Sequence, residues 1–330
     1  MSFREEFKQR VLNASIGDFE MLALELFRYQ ANENEVYKQF MAHLGTDVDA
    51  VKSVEQIPFL PIEFFKTHSI RSTQLPVEKV FTSSGTTGQQ TSKHYVADAA
   101  FYLNNAQRIF EQQYGSLQDF VVFGLLPSYL EREGSSLIDM VKYFIDLTAS
   151  DLSGFYLNEY EQLILDINKA AKSDKKILLI GVTFGLLDFA ERQQHLPKHT
   201  IVMETGGMKG RREELTRGEI HQELSSKLGI ETIHSEYGMT ELLSQVYSSG
   251  NGVFVCNSAM QLYLRDVTDP LFCSTKLQSG GINVIDLANV DSCGFIATQD
   301  LGKRTAHGFE ILGRIDNSDI RGCNLMVSSL

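Results

Sequence analysis

The chain has 330 residues, 43% of them hydrophobic and 22% charged, and 30 Lys and Arg stand against 42 Asp and Glu for a formal charge of −12. That length supports one large domain or two smaller ones with a sizeable core. The acidic balance excludes a nucleic-acid backbone as the main partner, because such affinity rests on Lys and Arg neutralising phosphates. The start, Met1 to Glu6, is polar and has no apolar signal core behind it. No stretch approaches the roughly 20 apolar residues that span a bilayer. Cys256, Cys273, Cys293 and Cys323 form no C-x-x-C pair, which speaks against zinc and against a disulfide framework. The expectation is a cytoplasmic, reduced protein.

The first 45 residues read as helix. Phe19, Leu22, Ala23, Leu26 and Phe27 share one face, as do Val36, Tyr37, Phe40, Met41 and Leu44, with Asp18 as N-cap and Gly45 as stop. Prolines make Ile57 to Ile62 an extended connector leading into Phe64, Phe65 and Lys66. Lys79 to Phe81 is a short strand that enters a loop, Thr82 to His94, dominated by Ser, Thr and Gly. Such a loop can turn N–H groups and hydroxyls toward phosphate oxygens, although no Walker A pattern aligns on it. A flexible linker is the other reading. Asp98 then opens a helix that ends near Gly115.

From there apolar strands alternate with amphipathic helices. Strands are expected at 120–126, 177–182, 200–203 and 231–234, and helices at 135–149, 159–171, 184–192 and 211–228. That alternation implies a largely parallel sheet covered on both faces, with ligands beyond the carboxyl ends of its strands. The Ser/Thr/Gly loop, Gly206 to Gly210, and His234 to Glu241 all follow strands and so belong at one rim. Val246–Tyr247, a turn at 249–252 and Val253 to Val255 read as a hairpin. Further short strands at 261–267, 282–285 and 295–298 make a β-rich region.

Tyr237-Gly238-Met239-Thr240-Glu241 offers an aromatic face, a glycine for close backbone approach, a hydroxyl for an oxyanion and a carboxylate for a cation. Taken alone it also reads as a strand-end turn. Together with Thr82-Ser83-Ser84-Gly85-Thr86-Thr87-Gly88 it resembles two signature motifs of the adenylate-forming superfamily of acyl-CoA synthetases, adenylation domains and luciferases. Thr298-Gln299-Asp300, with Gln where Gly is usual, and Gly313-Arg314-Ile315-Asp316 follow in the superfamily's order. Ile57 to Pro61 before Phe65-Lys66, Gly206 to Lys209, and Arg321 to Asn324 make the chain most similar to the acyl-protein synthetase (LuxE-type) family. Phenylacetate-CoA-ligase-like enzymes are the next nearest.

The resemblance implies an α/β fold: an adenylate-forming large domain with mostly parallel sheets covered by helices and a β-rich C-terminal lobe. It divides the chain into a domain at 1–312 and a hinge and short arm at 313–330, with the small C-terminal domain of larger members largely absent. Within 1–312 it expects a helical N-terminus to residue 56, an α/β core at about 79–245 and a lobe at about 246–312. The implied reaction is ATP-dependent activation of a carboxylic acid, fatty or aryl, with pyrophosphate release, then acyl transfer to a protein cysteine. A CoA ligase, or a non-catalytic nucleotide-binding protein of the same fold, are the alternatives. ATP and Mg²⁺ are the implied cofactors. The implied partners are a small carboxylic acid and an acyl-accepting reductase or carrier protein.

By the same resemblance Ser83, Ser84, Gly85, Thr86, Thr87 and Gly88 hold the outgoing phosphates, Tyr237 stacks on adenine with Gly238 beside it, and Gly206 and Gly207 line the adenine side. Asp300 and Arg314 hold the ribose hydroxyls, unless they form only a surface ion pair. Thr240 contacts the α-phosphate and Glu241 binds Mg²⁺. Lys93, Lys209 and Arg211 are candidates for the charge that the absent domain's lysine supplies. Cys323, near Arg321, is the candidate acyl acceptor. The acid pocket is expected along 123–129, 134–136 and 181–185.

Overall fold

The computed structural model describes residues 2–72, 74–83, 90–127, 133–192, 195–206 and 215–315. Helix α1 (Phe3–Asn13) opens on a capping box in which Ser2 and Glu5 exchange hydrogen bonds. Helices α2 (Phe19–Glu33) and α3 (Glu35–Leu44) follow, separated by Asn34. The Asn34 side chain accepts from Tyr37 N at 3.0 Å and donates to Ser292 O at 2.9 Å, so one amide caps α3 and ties it to a distant loop. Gly45 ends α3 at φ 67°, as expected of a left-handed stop. Asp18 stands at the N-cap of α2 as expected, but its side chain makes no capping bond to the helix. Its carboxylate instead takes the N–H and hydroxyl of Ser15. Leu44 leaves the expected stripe and is exposed.

The central sheet runs β5 (Gly154–Tyr156), β4 (Phe120–Leu125), β6 (Lys176–Val182), β7 (Thr200–Thr205), β8 (Ile233–Tyr237), β9 (Val246–Ser248). All neighbours are parallel except β8 and β9. Alternation along the strands explains their near-continuous apolar sequence. Phe120, Val122, Leu178 and Ile180 join a core with Phe110 of α5 (Ala99–Tyr114) and Phe144 of α6 (Ser136–Leu147). Val121, Phe123, Ile177 and Leu179 join another with α7 (Tyr160–Ala170), α8 (Thr183–Ala190) and α9 (Arg217–Leu228) through Leu163, Leu187 and Leu224. Both faces are covered, and the expected α/β class holds. The helix expected from 211 begins at Arg217, after an N-cap at Thr216.

A second, antiparallel sheet runs β10 (Val253–Phe254), β14 (Phe309–Arg314), β13 (Phe295–Arg304), β12 (Ser279–Asp286), β11 (Met260–Arg265). The proline connector adds to it as β1 (Leu60–Pro61), parallel to the start of β13, before the short helix α4 (Phe64–Thr67). A missing proline N–H is harmless at that edge.

Two expectations need correcting. The segments around 246–248 and 253–255 are not the two arms of one sheet's hairpin. β9 extends the central sheet and β10 the second, with a single bridge between Tyr247 and Val255. The strand at 79–81 does not belong to the rim of the parallel sheet either. As β2 (Lys79–Thr82) it pairs antiparallel with β3 (Lys93–Val96), so the Ser/Thr/Gly loop joins two strands rather than a strand and a helix. It lacks a place in the big sheet because it packs as a separate ribbon, with Thr82 N bonded to Gly134 O at 2.8 Å.

Asp286, at the end of β12, joins the two sheets. Its buried carboxylate accepts from the N–H groups of Leu243 (2.7 Å), Ser244 (3.1 Å) and Ala288 (3.0 Å) and from the Ser244 hydroxyl (2.6 Å). Asp286→Ala leaves those buried donors unpaired, and each such loss costs about 1–3 kcal/mol. The variant should lose about 3 kcal/mol or more of unfolding free energy, read as a lower urea midpoint at unchanged m-value.

Candidate functional site

β8 carries the site. It begins later than expected and runs through Tyr237, so His234 to Tyr237 are strand residues and alternate between faces. Ser235 and Tyr237 share one side and Glu236 points to the other. Gly238 follows because a Cβ there would lie 2.5 Å from Oε1 of Glu236.

On the Tyr237 side, the phenol donates to Oδ2 of Asp300 at 2.7 Å. Asp300 faces Arg314 across the β13–β14 pair, with Arg314 Nε 3.9 Å from Oδ1. Arg314 is 84% exposed, so the pair is a weak tether for an arginine whose donors face solvent. Burial raises the Asp300 carboxyl, against the Tyr237 hydrogen bond and the arginine charge. Burial and the nearby Asp300 push the Tyr237 phenol well up, so it remains a donor. Phe254 of β10 meets Tyr237 edge-on at 5.9 Å. Arg217, at the start of α9, lies over Phe254 at 4.8 Å and reaches Glu204 Oε1 at 3.0 Å. Gly206 ends β7 at φ 73°, its carbonyl accepting from Thr183 Oγ1 at 3.3 Å.

On the other side of the turn, Glu241 is buried and accepts from the Ser92 hydroxyl. Burial raises its carboxyl. Ser92 and Ser83 close the base of the Ser/Thr/Gly loop through Ser83 N to Ser92 O (3.1 Å) and Ser92 N to Ser83 Oγ (2.9 Å). Two residues along the same face of β3, His94 Nδ1 meets the Thr240 carbonyl at 2.9 Å. Burial lowers His94 to about 4, so the ring is neutral and Nδ1–H is the donor. Asn289 Nδ2 donates to the Glu241 carbonyl at 2.8 Å.

The structure thus brings Tyr237, Gly238, Thr240, Glu241, Ser83, Asp300 and Arg314 together, with Gly206 on the adjoining strand. Ser84, Gly85, Thr86, Thr87, Gly88, Gly207, Lys209, Arg211, Asp316, Arg321 and Cys323 lie outside the described residues. Among the described stretches expected to form an acid pocket, Phe123, Leu125, Thr183, Phe184 and Gly185 are buried in the cores. A single buried carboxylate suits Mg²⁺, which is held by one or two carboxylates and completed by phosphate oxygens and water. Among the described residues no cluster of three or more His, Cys, Asp or Glu side chains could hold a metal alone.

Sequence reasoning missed Ser92, His94, Glu204, Arg217 and Glu236. Arg217 had a signal: a cation in the first turn of a helix opposes the helix dipole and calls for a carboxylate partner. Glu204 supplies it, and His221 and Arg217 hold its carboxyl low despite burial. Glu236 lacks any such cation. Thr205 Oγ1 donates to it at 2.5 Å, but burial and the Glu204 charge raise it to about 7.

No family model and no curated protein matches the chain. Solved structures do. A 2-hydroxyisobutyryl-CoA ligase in its postadenylation state with 2-HIB-AMP aligns at TM-score 0.65 and 13% identity, over 94% of this chain and 68% of its own. ATP-bound MatB from Rhodopseudomonas palustris aligns at 0.55 and 18%, over 72% and 48%. The AMP complex of the O-succinylbenzoate coenzyme A synthetase MenE from Bacillus subtilis aligns at 0.51 and 18%, over 75% and 51%. The chain therefore shares its fold with these three proteins, and the alignment spans about half the length of MatB and MenE. Among the described residues no helix is long and apolar enough to cross a membrane.

Glu236 gives the site a pH signature. Its folded value near 7 lies above the ordinary 4.5, so the native state binds more protons than the unfolded state between those values. Stability should fall as pH rises through that window and level off above it. Glu236→Gln cannot ionise. It should remove this part of the slope and unfold at higher urea than the parent at pH 8, by on the order of 3 kcal/mol. Urea titrations from pH 4.5 to 8 test this.

Proposed function

We propose that this chain is an ATP-dependent acyl-activating ligase of the acyl-protein synthetase (LuxE-type) kind. A carboxylate oxygen of a fatty or aryl acid attacks the α-phosphorus of ATP, the bond to the bridging oxygen breaks, and pyrophosphate leaves with that electron pair. The observation that carries this reading is the convergence on one turn of the Tyr237–Asp300 pair and of Glu241 at the base of the Ser/Thr/Gly loop.

In this reading Tyr237 takes the adenine with Gly206, Gly207 and Gly238 alongside, and Asp300 and Arg314 take the ribose. Thr240 contacts the α-phosphate, and Ser83 with Ser84, Gly85, Thr86, Thr87 and Gly88 holds the leaving phosphates. Glu241 would hold Mg²⁺, which neutralises charge on the phosphate oxygens. Two anions must meet in this reaction, so positioning and charge stabilisation account for most of the catalysis.

The acyl group then passes to a thiol: the sulfur attacks the acyl carbonyl, AMP departs and a thioester forms. Burial raises Cys256 and Cys273 to about 11 and Cys293 to about 12, which leaves all three as unreactive thiols at neutral pH. Cys323 is the remaining cysteine and the proposed acceptor, from which a reductase or carrier protein would take the acyl group. The second reading is a CoA ligase, favoured by the likeness over 94% of the chain to the 2-hydroxyisobutyryl-CoA ligase. There coenzyme A replaces the protein thiol.

Carboxylate-dependent exchange of pyrophosphate into ATP, run over fatty and aryl acids, tests the activation step. Glu241→Gln should slow exchange by about a hundredfold or more, and chelation of divalent metal should abolish it. Cys323→Ser should keep the exchange and lose a hydroxylamine-labile acyl label on the protein. Free acyl-CoA, with labelling that ignores Cys323, would favour the second reading.

A further inference from the structure

Among the described residues the β2–β3 ribbon has no third strand, so one edge of β3 is left over. Glu78 N donates to Val96 O at 2.9 Å and Ser83 N to Ser92 O at 3.1 Å, so the carbonyls of Ser92 and Val96 face β2. Peptide groups of an antiparallel strand face its two sides alternately, which turns the N–H and C=O of Lys93 and Tyr95 away from β2. No hydrogen bond among the described residues takes them. A cleft of about 430 Å³ follows this edge, with Thr91, Lys93 and Tyr95 on one side and Lys66, Thr67, His68 and Ser69 on the other. A free strand edge with a cleft beside it is the geometry in which an extended peptide adds as a further strand.

The chemistry of the cleft selects among occupants. No carboxylate lines it, and Lys66 and Lys93 form no ion pair among the described residues, in a chain whose acids outnumber its bases by 42 to 30. Lys93 is exposed, and it shares its face of the ribbon with the half-buried Tyr95. A second copy of this chain fits poorly. Pairing two β3 edges would set lysine near lysine, and like charges across a ladder destabilise it. A segment with a carboxylate opposite Lys93 and an apolar side chain two residues along, opposite Tyr95, meets both demands, because side chains two apart fall on one face of a strand.

We propose that the free edge of β3 is a docking site for an extended acidic segment of a partner protein, which adds as a third strand of the ribbon. Hydrogen bonds to the peptide groups of Lys93 and Tyr95 supply affinity whatever the sequence of that segment. Lys66 and Lys93 select its carboxylate, and Tyr95 selects its apolar side chain. The lysines that attract an acidic strand also deter self-pairing of the edge. Docking of this kind recruits a protein and is independent of the reaction proposed above.

The probe is a fluorescent, end-blocked peptide of alternating glutamate and valine, titrated into the full chain by anisotropy. Its binding should slow hydrogen exchange at the Lys93 and Tyr95 amides, which are unprotected in the free chain. A version N-methylated at alternate residues keeps its charge but loses the donors of one edge, and should bind about tenfold or more weakly. Lys93→Glu should weaken the glutamate peptide and favour a lysine–valine counterpart. Equal binding of the N-methylated peptide would reduce the contact to charge alone and overturn strand addition. Binding that leaves both amides unprotected would put the peptide elsewhere and overturn the site. Protection of both amides without peptide would mean that a second copy or another part of this chain already covers the edge, which also overturns the proposal. If neither the parent nor Lys93→Glu binds either peptide, the edge is not a docking site.

Discussion

The segment 238–245 has no strand or helix to satisfy its backbone, yet much of it is buried. Buried N–H and C=O groups must find partners, so other elements have to supply them. They come from three directions. His94 of the β2–β3 ribbon serves the Thr240 carbonyl, and Asn289 serves that of Glu241. Asp286 of the second sheet takes the amides of Leu243 and Ser244. Asn105 of α5, fully buried, donates to the Leu243 carbonyl and the Ser244 hydroxyl, each at 2.9 Å. One irregular turn therefore fixes the relative placement of a ribbon, a helix and two sheets. A site on such a turn is held by side chains whose own rotamers are locked, which suits a reaction that depends on positioning.

The carboxylates around this turn show how burial and partners compete. Glu204 is deeply buried but keeps a low pKa, because His221 and Arg217 meet it. Glu236, on the opposite face of the next strand, has only the Thr205 hydroxyl and sits near 7. Asp286 collects several donors and is still raised to about 6 by burial. Neutral hydrogen bonds offset part of the desolvation of a charge, whereas a nearby cation offsets more of it. Glu241 falls on the raised side, with only a serine as its hydrogen-bonding side-chain partner. A buried acid short of counter-charge has the electrostatic character that a divalent cation would relieve.

Much of the fold was legible. The apolar runs at 120–125 and 177–182 announce strands covered on both faces, and Gly45, Gly115 and Gly229 mark helix ends by their conformational freedom. The ribbon was not legible, because a four-residue strand has too few alternations to declare its pairing partner. With the loop taken as far as His94, the shared face of Ser92 and His94 disappears into it. The swap of β9 and β10 into different sheets was hidden for a related reason: turn chemistry fixes a local reversal but not which sheet each arm extends. Within the site, motif likeness assigns Tyr237 and Asp300 to one nucleotide but does not pair them with each other. Sixty-three residues separate them, and nothing in their spacing predicts a hydrogen bond.

Charge poses a last constraint on any nucleotide reading. A chain of net charge −12 repels a polyphosphate at long range, so attraction must be local. Under the proposed function Arg217 and Arg314, on either side of the Tyr237–Asp300 pair, would provide it. At physiological salt the Debye length is about 8 Å, so acids farther away than that are largely screened while cations in contact with a ligand are not. Raising salt from a very low value would first relieve the long-range repulsion and only then weaken the contacts themselves. Attraction at contact range, rather than the net charge, therefore has to carry any affinity of this chain for a nucleotide.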